Sequence, residues 1–194
     1  MSSCLSQPIL ILVTGAPASG KTTIAARLAA DLGLPLFAKD DIKELLAESL
    51  AVSDFEWSSL TGRASFFLLD WLTTRLLNAG SSLILEANFD RRFLNEWSFP
   101  RAALKTRASI VEIFCRAEPE VLLGRYKERF ESGSRHPIHH DREHFEGPLP
   151  HEITGDKFAE PLGLGTAITV DTTSFDRVDY SGILARVRST IENG

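Results

Sequence analysis

A chain of 194 residues, 43% hydrophobic and 24% charged, has the volume and composition of a globular protein with a continuous core. Acidic residues outnumber basic ones, 26 against 21, and the formal charge of −5 argues against a broad face for nucleic acid. Two cysteines, Cys4 near the terminus and Cys115 closing an apolar run, do not make a disulfide framework, and no apolar run approaches the length of a membrane span.

No Lys or Arg precedes Lys21, so no signal peptide is expected and a reducing cytoplasm fits the composition. Apolar β-prone runs alternate with helical patterns, the signature of a parallel sheet flanked by helices. Ile9–Val13 is the first expected strand and leads into a glycine-containing loop. Ile24, Leu28 and Leu32 mark the helix after it, with Gly33 as its stop. Leu36–Ala38 reads as a second strand. A helix then starts near Asp40 and Asp41. A long helix is expected from about Glu56 to Asn78, with Trp57, Leu60, Ala64, Phe67, Trp71 and Leu72 as a core-facing stripe.

Leu83–Leu85 is the third expected strand and ends in Glu86. The stretch from Arg91 to Leu104 is partly helical, and Ser109–Phe114 is the fourth strand. Glu118–Phe130 forms a helix with Pro119 near its start. From Ser132 to Gly165 the chain is rich in Gly, Pro and His, and loops are expected. Ile168–Val170 makes the last strand and Arg177–Glu192 the closing helix.

Gly15-Ala16-Pro17-Ala18-Ser19-Gly20-Lys21-Thr22 satisfies the P-loop pattern at every position. The two glycines allow backbone angles that a side chain forbids. The loop amides can then converge on anionic oxygens, reinforced by the positive end of the following helix. Lys21 brings a full charge to the β- and γ-phosphates, Thr22 places a hydroxyl for Mg²⁺, and Thr23 continues the nucleotide-binding stretch. A chance match in a chain this long is on the order of one in a hundred. ATP with Mg²⁺ is the expected ligand pair, and GTP is not distinguished from ATP.

Gly15–Leu28 followed by Lys39-Asp40-Asp41-Ile42-Lys43 resembles the small P-loop kinases. These include the kinase domain of phage-type polynucleotide kinase, zeta-toxin-like kinases, chloramphenicol phosphotransferase, gluconate kinases and many bacterial predicted kinases. The resemblance runs from the first strand through Asp171. It implies a three-layer α/β fold with a central, mainly parallel sheet of five strands, flanked by helices and a lid segment at about residues 116–165. It also implies one kinase domain over residues 1–194. By the same resemblance Asp40 is the general base for an acceptor hydroxyl, with Asp41 beside it. Where the group often carries Arg three residues later, this chain has Lys43, which supplies charge without a planar fork.

Asp40 has an argument of its own. Ligands of open parallel sheets gather at the carboxyl ends of strands, and Asp40 follows strand two as the P-loop follows strand one. The competing role for Asp40 or Asp41 is to cap the next helix. Glu86, after an apolar strand, resembles a Walker B carboxylate near Mg²⁺, and Asn88 falls where the group contacts substrate. Arg125 and Arg129 share a helix face and resemble lid arginines that offset phosphoryl charge. Arg135-His136-Pro137 and His139 resemble a segment that recurs in the predicted kinases and is read as a mobile lid or an acceptor-contact loop.

All five histidines lie between residues 136 and 151, but with no cysteine among them the stretch is a poor zinc site. The turn Val170-Asp171-Thr172-Thr173 corresponds to one that passes the adenine in the resembling group.

The expected activity is phosphoryl transfer from ATP·Mg²⁺ to a small hydroxylated acceptor. A nucleotide or RNA 5′-hydroxyl is the alternative acceptor, with nucleic acid not favoured. A nucleotide switch or plain NTPase working through a protein partner is the reading from another class. The sequence names neither the acceptor nor the oligomeric state, and no membrane association is expected.

Overall fold

The computed structural model describes residues 7–192; Cys4 lies outside them. In chain order, Ile9–Gly15 (β1), Lys21–Leu32 (α1), Leu36–Ala38 (β2), Lys39–Leu50 (α2), Phe55–Asn78 (α3) and Leu83–Glu86 (β3) make the first half. A 3-10 turn at Arg91–Glu96 leads to Phe99–Thr106 (α4), Ser109–Arg116 (β4) and Pro119–Glu131 (α5). Three short pieces follow: a 3-10 turn at Pro137–His139, Asp141–Glu146 (α6) and Leu149–Thr154 (α7). After a 3-10 turn at Asp156–Phe158, Thr166–Asp171 (β5), a 3-10 turn at Phe175–Arg177 and Tyr180–Glu192 (α8) complete the described chain.

The five strands form one parallel sheet in the order β2-β3-β1-β4-β5, as the alternation of strands and helices required. β1 is buried along its whole length because both faces of the sheet are covered. Ile9, Ile11 and Val13 share a core with Ile24 and Leu28 of α1 and with Ile183 and Val187 of α8. Leu10 and Leu12 share the other core with Leu69 and Leu77 of α3 and with Phe99 and Ala103 of α4. Within β4, the fully buried Glu112 carboxylate accepts the backbone N–H groups of Leu162 and Gly163, which ties the approach to β5 onto the sheet. No helix among the described residues is long and apolar enough to cross a membrane.

Two expectations need correction. The stretch 132–165 holds α6, α7 and two 3-10 turns rather than loops alone, with prolines at the first turns of Pro137–His139 and α7. Proline has no N–H to leave unsatisfied there, so it starts short helical pieces as readily as it interrupts long ones.

The second correction concerns α3. Its expected core stripe faces outward: Trp57, Leu60, Phe67 and Trp71 are exposed, Phe67 by 70%. The buried face instead carries Ser58, Thr61, Ser65, Leu69, Thr73 and Leu77. Those hydroxyls can be buried because each finds a partner, Ser58 Oγ accepting from Lys43 Nζ at 2.8 Å and the others donating to carbonyls one turn back. Thr61 donates to Trp57 O at 2.7 Å, Ser65 to Thr61 O at 2.6 Å and Thr73 to Leu69 O at 2.7 Å. Small residues on that face let α3 approach α2 and the sheet closely.

This inversion sets opposite costs for two substitutions. Leu69→Ala is expected to destabilise the fold by about 2–5 kcal/mol, as for a buried leucine. Trp71→Ser on the outer face should stay within about 0.5 kcal/mol. Urea unfolding of both variants checks the assignment, and the reverse order would restore the core-facing stripe.

Candidate functional site

The chain leaves β1 at Gly15 with φ 144°, and a Cβ there would lie 2.1 Å from the Cys115 carbonyl oxygen. At the other end of the loop Gly20 has φ 76°, and its missing Cβ would lie 2.2 Å from the Phe175 ring. Gly15 is therefore fixed by backbone in its way as well as by dihedral angle, whereas at Gly20 the obstacle is the tip of a side chain and the left-handed φ is the constraint. Between them Ala18 also takes a left-handed conformation, with φ 61°. Ser19 N–H donates to Ala16 O at 3.2 Å, and Thr172 Oγ1 lies 2.8 Å from Ser19 O, so the turn after β5 braces the loop from outside. Ser19 Oγ is buried without a partner. α1 begins at Lys21 with its first N–H groups unclaimed by any side-chain cap, leaving them free for an anion.

Three groups converge beside this loop. Lys21 Nζ donates to Ala16 O at 3.2 Å and stands 3.9 Å from Glu86 Oε1. Thr22 Oγ1 donates to Glu86 Oε2 at 3.1 Å. Glu86 ends β3, which pairs with β1 so that Glu86 lies opposite Val13, just before the loop. Burial pushes the Glu86 carboxyl up and the Lys21 ammonium down, and each partly restores the charge of the other.

The carboxyl ends of β1, β2 and β3 open into one cleft of about 850 Å³, which reaches from Pro17, Lys21 and Thr22 past Asp40 to the aromatic rings of Phe66 and Trp97. Asp40 lies in the first turn of α2, yet the cap position belongs to Ala38 and no side chain caps the helix. The capping role is thus not what holds Asp40. Lys39 Nζ lies 3.0 Å from its Oδ1, and a terminal nitrogen of Arg135 lies 2.5 Å from Oδ2. Burial alone would raise the Asp40 carboxyl, but Lys39 and Arg135 outweigh it and hold it well below the usual carboxylate range.

Arg135 is itself held from several sides. It donates to His139 Nδ1 at 3.0 Å, and His139 Nε2 meets Glu44 Oε1 at 2.7 Å. An accepting Nδ1 leaves the ring proton on Nε2, so His139 is neutral and donates to Glu44. Burial, then Arg135, pushes the His139 pKa down to about 2, in keeping with that tautomer. Arg135 Nε lies 3.2 Å from Asp141 Oδ2, at ion-pairing distance but without hydrogen-bond alignment, and Asp141 Oδ1 accepts the Tyr126 hydroxyl at 2.7 Å.

The site residues expected from sequence therefore divide. Lys21, Thr22, Glu86, Asp40, Lys43, Asn88, Arg129 and Arg135 all line the cleft. Asp41 is exposed and does not line it. His136 turns away, its Nδ1 accepting Ile138 N–H at 3.1 Å as a local cap. Thr23 is exposed beyond the loop.

Arg125 parts company with Arg129 despite the shared helix. It donates to the carbonyls of Thr172 and Thr173 at 2.8 and 3.2 Å and lies over the Phe175 ring at 5.0 Å. Arg129 instead lies over Tyr126 at 5.1 Å, with a buried Nε that has no partner, and burial and Arg135 push its pKa down.

His139, expected with Arg135 in the lid or acceptor-contact segment, lines the cleft as well, and Lys39, Asp141, Phe66 and Trp97 line it without having been anticipated as site residues. Among the described residues no group of three or more His, Cys, Asp or Glu side chains is arranged for a metal; His140, for one, spends Nε2 on Ser53 O at 2.7 Å.

The model of the AAA domain matches residues 10–148. A protein provisionally named a kinase, from Chloroflexus aurantiacus, is 33% identical over 97% of this chain and 98% of its own, with a TM-score of 0.83. A sugar kinase from Janibacter matches 95% of each chain at 16% identity and a TM-score of 0.52. A shikimate kinase from Bacteroides thetaiotaomicron matches 95% of this chain and 98% of its own at 16% identity and 0.51, so these two share the fold. No curated protein matches the sequence. Since the matched stretch spans the phosphate loop, the end of β3 and the Arg135 segment as one unit, the chain belongs to the AAA-domain family of P-loop proteins.

Proposed function

We propose that this protein is an ATP-dependent phosphotransferase that moves the γ-phosphoryl group of ATP·Mg²⁺ to a hydroxyl of a small-molecule acceptor. The observation that carries the reading is Asp40, a carboxylate with no capping duty that lines the same cleft as Lys21 and Thr22 of the P-loop. A plain NTPase or switch has no use for a second carboxylate aimed into a roomy cleft beyond the phosphates. The 33% identical relative named as a kinase adds weight.

In this reading the loop amides and Lys21 grip the β- and γ-phosphates. Thr22 and Glu86, a hydroxyl and a carboxylate 3.1 Å apart, are hard oxygen donors that fit Mg²⁺. A magnesium ion held there would offset phosphate charge during transfer. Asp40 orients the acceptor hydroxyl and takes its proton as the oxygen attacks phosphorus. To do so it must first exchange its contacts with Lys39 and Arg135 for the hydroxyl, since both cations now suppress its basicity.

Arg129, partly unsatisfied, is suited to steady charge on the transferring group. Arg125 and Phe175, stacked beside Gly20, provide a planar surface for the nucleobase at the turn after β5. The segment 116–165 would act as the lid of a single kinase domain, carrying Arg129, Arg135 and His139 over the cleft.

Lys21→Ala is expected to abolish nucleotide binding, as measured by fluorescent ATP titration. Asp40→Asn should keep ATP affinity while transfer to an acceptor drops by about 10²–10⁴-fold. The assay is ADP release across an acceptor panel, with mass spectrometry of the product. Transfer at an undiminished rate in Asp40→Asn would remove Asp40 from the chemistry, and ATP hydrolysis indifferent to every acceptor would favour the NTPase. Glu86→Gln is expected to raise the magnesium concentration needed for half-maximal ADP release, at least tenfold if the carboxylate helps hold the ion.

A further inference from the structure

The outer face of α3 carries an apolar stripe that no described residue covers. Leu60, Phe67 and Trp71 fall on it at the three- and four-residue spacing that keeps to one side of a helix, with the small Ala64 between Leu60 and Phe67. Phe67 is 70% exposed and Trp71 55%. Their two rings alone leave on the order of 250 Å² in water. Leu60 and Leu68 are exposed beside them and widen the patch. A shallow groove of about 850 Å³ continues it toward Ser98, lined by Trp71, Thr74, Arg75 and Asn78. Single exposed leucines need no explanation, but a continuous apolar stripe of this kind marks a contact surface.

The charges at the two ends of the stripe identify its occupant. Glu56 lies in the first turn of α3 and Arg75 in the last. At the helical rise per residue, each stands about 14 Å along the axis from a point between Ser65 and Phe66. Leu60 and Trp71 lie about 8 Å to either side of the same point, and Ala64 and Phe67 about 2 Å. A second α3 laid antiparallel about a two-fold axis through that point sets Glu56 against Arg75, Leu60 against Trp71, and Phe67 into the gap over Ala64, each contact made twice. A parallel arrangement would instead oppose glutamate to glutamate and arginine to arginine. Arg75 rests on the Trp71 ring at 4.8 Å, and among the described residues neither Arg75 nor Glu56 has an ion-pair partner.

We propose that α3 is the interface of a homodimer, packed antiparallel against α3 of a second copy of this chain. The apolar stripe supplies the affinity. Glu56 and Arg75, exposed at its ends, set direction and register more than strength. A lipid surface fits the face less well, because a helix that lies in a membrane interface is flanked by cations, whereas Glu56, Arg63 and Arg75 bring both signs to this one. Arg63 and Phe67 also border the cleft, so the paired helix runs along its rim. Association adds to a chain that is already folded, and below the dissociation constant the urea unfolding of Trp71→Ser reports the single chain.

Sedimentation velocity of the full chain over a concentration series tests this. The mass is expected to rise from 21.4 kDa to twice that value as the concentration increases. Phe67→Ser and Trp71→Ser should each weaken association at least tenfold, with the circular dichroism spectrum unchanged. Glu56→Arg should weaken it several-fold. Adding Arg75→Glu to that variant should restore most of the loss, since the pair is then reversed at both ends of the interface.

A chain that stays monomeric up to millimolar concentration overturns the assignment. So does a dimer indifferent to Phe67→Ser and Trp71→Ser, which would be built on another face. A dimer that those variants disrupt, but that the double charge reversal fails to restore, overturns the antiparallel register. Co-flotation of the full chain with anionic phospholipid vesicles, lost in Phe67→Ser while the free chain remains monomeric, would give the face to a lipid surface and remove the dimer.

Discussion

At Gly15 the chain turns out of β1 so close to the Cys115 carbonyl that a methyl group would overlap it. Everything at the site hangs from that passage. It lets β1 end deep inside the sheet, between β3 and β4, while the loop curls back over its own strand to start α1. The N–H groups of the loop and of the helix start then face one point, which makes an anion site without any side chain. Lys21 and Thr22 are carried to that point by the first turn of α1, and Glu86 meets them because β3 is hydrogen-bonded to β1 in a register that sets Glu86 opposite Val13, just before the loop.

Beyond the loop the cleft is a problem of charge. Cations from α1, α2, α5 and the Arg135 segment crowd into it, and three carboxylates, Asp40, Glu86 and Asp141, lie among them. Each carboxylate has at least one cation at short range. Asp40 has two, and a proposed base so tightly paired is poised rather than ready. The polar chain from Glu44 through His139 to Arg135 fixes where the arginine sits, so Arg135 works as a positioned charge and not as a loose surface residue.

The aromatic content is divided in a way that bears on the cleft. Phe66, Phe89, Trp97 and Phe99 form a contiguous stack between α3, the end of β3 and α4, with Phe89 and Trp97 at 4.9 Å. That stack stiffens the far wall of the cleft. The hydroxyl-rich face of α3 brings the helix near enough for Ser58 and Gly62 to reach the lysines of α2. A bulkier face would hold the two helices apart and widen the cleft.

The phosphate loop, the alternation of strands and helices and the place of Asp40 after strand two were legible because each depends on local patterns: glycine spacing, apolar runs and position relative to a strand end. The outward turn of Trp57, Phe67 and Trp71 was not, since hydrophobic periodicity ranks residues by apolarity and cannot see serine and threonine satisfying their own hydroxyls one turn back. Nor could spacing separate Arg125 from Arg129. One turn apart on a helix, they diverge because the end of β5 offers carbonyls to the first and Tyr126 offers its ring to the second.

The sequence by itself determined which chain segment forms the glycine-bounded P-loop turn, since the angles at Gly15 and Gly20 follow from residue type. The tertiary structure decided which charges meet. The pairing of Asp40 with Arg135 spans 95 positions and arises only when the segment carrying Arg135 packs against the start of α2.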